Sequence, residues 1–185
     1  MQTTTTRRFK EHDVARPEWL ADKDGWFDQS WHNDALPHVS MFLTANESDG
    51  PCVEFWVNYE HATDREVPPR YMAVFQRSWV VENGGDAVLY DGDDEAVAKQ
   101  WARASRIAKT IIPEILAEPV LLACRTFSEL HEHVDANVLG EQEQYLEECG
   151  WTGKDDAKDE AALIATTDVL NNAQAIVDAF LRTRR

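Results

Sequence analysis

Cys52-Val53-Glu54-Phe55-Trp56-Val57-Asn58-Tyr59-Glu60 is the stretch on which the fold class turns. Val53, Phe55, Val57 and Tyr59 alternate with Glu54, Asn58 and Glu60, the two-residue period of a half-buried strand; Trp56 interrupts the polar side. Outward on the N-terminal side, residues 45–51 carry turn chemistry in Asn46, Ser48, Asp49 and Gly50, and residues 38–43 are apolar enough for another strand. On the C-terminal side a loop ending in Pro68-Pro69 leads to a strand at residues 70–76. Residues 79–82 and 87–90 flank Asn83-Gly84-Gly85-Asp86, a hairpin turn that tolerates positive φ. Such short connections suit antiparallel strands, because parallel ones need long crossovers.

The period changes after Asp91. Val97, Trp101, Ala104, Ala108, Ile111 and Ile115 fall on one helical stripe, with Asp93 or Asp94 as its N-cap. Pro113 is expected to kink or restart that helix. Thr126 and Glu129 have capping-box spacing, Leu130, Val134 and Val138 form a stripe, and Gly140 suits a C-terminal cap. A short helix should follow at residues 141–149 and end at Gly150. Ala161, Ile164, Leu170, Ile176, Val177 and Phe180 mark a last helix. Upstream, Pro17 is placed to open a short helix, and residues 22–37 read as a loop. The expected fold is therefore α+β: an antiparallel meander of four or five strands over residues 38–90, packed with C-terminal helices over residues 94–183. One domain spanning residues 1–185 is expected, with residues 1–15 flexible.

Eighteen basic against thirty-four acidic side chains give a formal charge of −16. Such a field repels nucleic-acid phosphates and anionic membranes and attracts basic proteins. No apolar stretch has the length of a membrane span, and residues 1–10 lack the apolar centre of a signal peptide. Three dispersed cysteines argue against a disulfide framework or a zinc cluster. A cytoplasmic location follows as an expectation. Seven tryptophans are expected mostly in the core.

Two segments bear on function. Residues 24–34 place Trp26, Trp31, His32, Asp28, Asn33 and Asp34 in a loop. They serve either as core plugs and turn formers or as a binding site, with His32 and Asp34 as a candidate acid–base pair and Trp31 as a binding aromatic. A site of that kind would join His32 and Asp34 to Arg65 or Glu66. The second segment runs from Arg125 to Lys154 without an intervening Lys or Arg. Glu129, Glu132, Asp135, Glu141, Glu143, Glu147 and Glu148 would form a negative ridge, or else a solvated helical face. His131 and Asp135 supply too few ligands for a metal. Asp91-Gly92-Asp93-Asp94-Glu95 lacks the calcium-loop pattern and reads as a strand-to-helix junction. Gly150-Trp-Thr-Gly153-Lys154 lacks the phosphate-loop spacing. No cofactor is implied.

The leading expectation is a non-enzymatic acidic binding or regulatory protein that engages a basic protein partner, without direct nucleic-acid or membrane binding. The alternatives are a small-molecule binder or hydrolase-like enzyme using residues 24–34, and a structural subunit of a homo-oligomer.

Overall fold

The computed structural model describes residues 8–45, 50–66, 69–77, 87–117 and 147–183. Five strands, β1 (Phe27–Asp28), β2 (His38–Phe42), β3 (Cys52–Val57), β4 (Tyr71–Gln76) and β5 (Ala87–Gly92), form one sheet in sequential order. Every neighbouring pair is antiparallel, so the protein is an α+β fold built on a meander. Two long helices, α1 (Glu95–Ala117) and α2 (Asp156–Arg182), pack on each other and against the sheet. Three-residue 3-10 turns lie at Glu18–Leu20, Asp22–Asp24 and Ala62–Asp64.

Alternation in the strands does what the sequence pattern demands on one face. Val39, Met41, Val53, Phe55, Val57, Tyr71, Ala73 and Phe75 belong to the core cluster shared with α1 and α2. The other face departs from expectation. Glu54, read as a solvent-facing residue, is buried, and its Oε2 accepts from Trp56 Nε1 at 3.2 Å and Gln76 Nε2 at 3.4 Å. Its neighbours there include His38 and Ser40, also buried. A carboxylate can be buried where hydrogen bonds replace its water, and strand alternation cannot reveal that.

Residues 22–37, expected as a plain loop, contain the two-residue strand β1, which pairs Phe27 with Ser40 and Asp28 with Val39. Two residues are too few to show a period. Within residues 1–15, expected to be flexible, Phe9 and Val14 are buried in the core and Phe9 N–H donates to the Val14 carbonyl. Pro17 precedes a 3-10 turn rather than an α-helix. The expected strand at 79–82 and the turn at 83–86 lie outside the described residues; β4 pairs directly with β5 around them, with an irregular register between Ala73 and Val74.

Asp94 caps α1, its Oδ1 accepting from Ala96 N at 2.8 Å and Val97 N at 3.3 Å. The helix runs through Pro113 instead of restarting. Pro113 faces solvent, where water can reach the carbonyl its missing N–H leaves unbonded. The buried face of α1 is broader than the expected stripe: Ala98, Ala102, Ser105, Ile107 and Ile112 are buried as well. Helix α2 opens on Asp155, whose side chain accepts from Lys158 N. The capping box at 126–129 and the cap at Gly140 lie outside the described residues.

Among the described residues the tryptophans divide between core and surface. Trp26 is fully buried, and Trp19 and Trp101 pack against the core, but Trp31 is 57% and Trp151 41% exposed.

Candidate functional site

The polar groups of residues 24–34 are engaged by the N-terminal segment. Asp28 Oδ2 accepts from Lys10 N at 2.8 Å, and its Oδ1 from Ser30 N at 3.1 Å. Glu11 Oε2 meets both His32 N at 3.0 Å and His32 Nδ1 at 3.1 Å. His12 Nε2 lies 2.9 Å from the Trp31 carbonyl oxygen. Asp34 Oδ2 accepts from Trp31 N at 2.7 Å, closing a local turn. Glu11 adopts φ 59°, an uncommon conformation for a residue with a side chain, at the point where it reaches His32. His32 and Asp34 thus have different partners. Arg65 is committed elsewhere, to the Tyr59 and Glu60 carbonyls and to Asp93 Oδ1 at 2.7 Å. Trp31 remains outside, its ring 4.8 Å from that of His32.

The residue that sequence reasoning missed nearby is His38. It is buried on β2 and stacked on Trp56, with ring centroids 4.2 Å apart. Its Nδ1 is 3.5 Å from Asp34 Oδ2, and neither ring nitrogen makes a hydrogen bond among the described residues. Burial holds its pKa below the ordinary 6.5, against the opposing pull of Asp34 and Asp28. Ser40 Oγ, two residues along the same face, is likewise unbonded among the described residues. His38 sits in an apolar-looking strand, so only the fold reveals its burial.

Most of the acidic ridge, Glu129, Glu132, Asp135, Glu141 and Glu143, lies outside the described residues. Glu147 and Glu148 are helical, and the chain turns at Gly150 with φ 103°. Glu147 is exposed. The Glu148 carboxylate lies 3.4 Å from Arg106 Nη2 on α1. Sequence neighbours could not disclose that partner, which is 42 positions away.

Helix α2 divides its apolar residues between an inward and an outward face. Of the apolar residues that mark this helix in the sequence, Ile176 and Phe180 are buried and Ile164 is 58% exposed. Ala162, Thr166, Val169, Ala173 and Ile176 face inward instead. Glu160, Leu163, Ile164, Thr167, Asp168 and Asn171 recur at helical spacing and are all exposed, Leu163 at 52%. Asp168 also accepts from Gln100 Nε2 at 3.4 Å.

Several basic side chains of the described residues form internal ion pairs. Arg8 pairs with Asp13, Arg16 with Asp22, Arg65 with Asp93, Lys99 with Glu95, and Lys158 with Asp155. Among the described residues no cluster of three or more His, Cys, Asp or Glu side chains is arranged to hold a metal, and no helix is long and apolar enough to cross a membrane. Comparison with protein-family models, curated proteins and solved structures finds no match.

Proposed function

We propose that the protein is a non-enzymatic acidic docking protein and that the outer stripe of α2 receives a basic, amphipathic protein segment. The observation that carries this reading is the exposure of Leu163 and Ile164, 52% and 58%, between Glu160 and Asp168 on one helical face. Scattered exposed apolar residues are ordinary; an adjacent branched pair flanked by carboxylates offers both contact area and charge selection. Because each internal ion pair cancels a cation and a carboxylate together, the excess of −16 stays on the remaining acidic side chains. Glu147 and the ridge residues Glu129 to Glu143 would add to the field that steers a cationic partner. Nucleic acid and anionic membranes would be repelled by it.

The test uses a synthetic helical Lys/Leu amphipathic peptide as the probe. Saturable binding is expected, weakened about tenfold or more when Leu163→Ser and Ile164→Ser are combined, since burying such side chains contributes on the order of 1 kcal/mol or more each. Glu160→Gln with Asp168→Asn should slow association, most visibly at low salt. Unchanged peptide affinity in the folded Leu163→Ser/Ile164→Ser variant would overturn the proposal. A concentration-dependent dimer abolished by that same variant would assign the stripe to a second copy of the chain, and would overturn the basic-partner reading.

A further inference from the structure

A cavity of about 350 Å³ opens between α1 and the N-terminal 3-10 turns, and its walls include Trp19, Asp24, Lys99, Arg103, Arg106 and Glu148. Lys99, Arg103 and Arg106 are spaced four and three residues apart, so α1 aims three cations at one wall of an otherwise acidic protein. Like charges so placed repel unless anions sit among them. Lys99 Nζ is satisfied by Glu95 Oε1 at 3.0 Å, which also accepts from Trp19 Nε1 at 3.1 Å. Arg103 donates through Nη2 to the Glu148 carbonyl at 3.1 Å and through Nη1 to Cys149 Sγ at 3.5 Å.

Arg106 is different. Its Nη2 is 3.4 Å from Glu148 Oε2 and its Nη1 is 3.9 Å from Asp24 Oδ1. Elsewhere in the chain arginine–carboxylate contacts close to 2.7 Å at Arg65–Asp93 and 2.8 Å at Arg16–Asp22. Charge-assisted bonds of this type prefer about 2.7–2.9 Å. The guanidinium, with five donors in a fork, thus makes one long hydrogen bond to Glu148 and a looser ion pair to Asp24, neither of them bidentate.

We propose that this cavity binds a small oxyanion, a carboxylate or a phosphate group, gripped in bidentate fashion by Arg106, and that the Glu148 carboxylate is the internal stand-in which the ligand displaces. The site is independent of the α2 docking stripe. Lys99 and Arg103 supply flanking positive charge, and the Trp19 indole gives an apolar wall for an organic substituent.

The test titrates the full chain calorimetrically with two probes, inorganic phosphate and benzoate, at ionic strength held constant with sodium chloride. Saturable binding of at least one is expected; which one separates a phosphate site from a carboxylate site. Glu148→Gln should tighten binding several-fold by removing the competitor. Arg106→Gln should weaken it tenfold or more, and Arg106→Lys should also weaken it, because charge without the fork is insufficient; the lysine variant serves if the glutamine variant fails to fold. Absence of saturable binding of both probes to wild type and to Glu148→Gln would overturn the proposal, as would wild-type affinity in a folded Arg106 variant.

Discussion

The guanidinium of Arg16 donates to the Leu20 and Trp26 carbonyls and to Asp22 Oδ1 from a side chain that is 2% exposed. Those bonds tie residues 16–26 into a fixed course and bring Trp26 onto Phe55, edge to face at 5.8 Å. Arg16→Met removes every donor at once and leaves buried carbonyls unmatched. A loss of about 3 kcal/mol in unfolding free energy is expected by urea denaturation. Arg16→Lys should restore only a small part, since one ammonium cannot reach three acceptors. None of this was legible in the sequence, where an arginine beside a proline reads as surface. Turn chemistry in residues 24–34 was legible: Asp28 and Asp34 do bond local backbone N–H groups. Asp28's further partner, Lys10 N, comes from a segment that only folding brings near, whereas His38 stands four residues after Asp34. His38 makes a pH prediction. Its pKa is lowered in the folded protein, so the unfolded chain takes up the proton first as pH falls. The stability contribution of neutral, buried His38 is thus complete above about pH 6.5 and declines as pH drops from there toward the folded value. Denaturation at pH 7.5 and 5.5 should show a larger acid-induced loss for wild type than for His38→Gln; equal losses would contradict the assignment.

At the scale of elements, period carried the longer strands and the presence of both described helices. Strands β2, β3 and β4 follow from alternating apolar residues bounded by turn residues, and α1 from a stripe that begins beside an aspartate cap. Asp93, one residue before that cap, accepts from Arg70 N and Arg65 Nη1, both at 2.7 Å, and these bonds hold its carboxyl below the usual range. The junction thereby uses the charges that invited a calcium reading. Asp94→Ala should cost about 1 kcal/mol, measurable as a lowered melting temperature, by exposing two helix N–H groups. Helix α2 shows where the apolar pattern fails. Its inward face uses Ala162, Thr166 and Ala173, while the bulkier Leu163 and Ile164 point outward. Hydrophobicity alone therefore marks the helix but not its buried face. The phase can be checked by a matched pair of substitutions. Ile164→Ala should change unfolding free energy by no more than about 0.5 kcal/mol, the range for an exposed site. Ile176→Ala should cost about 2–5 kcal/mol, because it empties a fully buried position.

For the whole molecule, the α+β architecture was legible because strand patterns precede helix patterns along the chain and the connections between strands are short. The apportioning of charge was not. A composition of −16 says that carboxylates are in excess, but not that Arg16 ties together residues 16–26 and that Arg65 reaches Asp93 across 28 positions. Arg16 and Arg65 are drawn inward as staples, while Glu160 and Asp168 face outward beside the exposed Leu163 and Ile164. Ionic strength should act accordingly. At 0.15 M salt the screening length is about 8 Å, so steering by distant carboxylates fades while contact with Leu163 and Ile164 persists. The docking claim is tested most directly by mapping where a basic probe lands. A photo-crosslinking side chain placed at Thr167, between Ile164 and Asp168, and separately at Glu60 on the sheet side, would be challenged with the Lys/Leu peptide at 0.15 M salt. Strong adducts are expected at position 167, lost when Leu163 and Ile164 are replaced by serine, and little at position 60. Equal adducts at both positions, indifferent to the serine replacements, would mean that the peptide samples a diffuse acidic surface and that α2 is not a docking site.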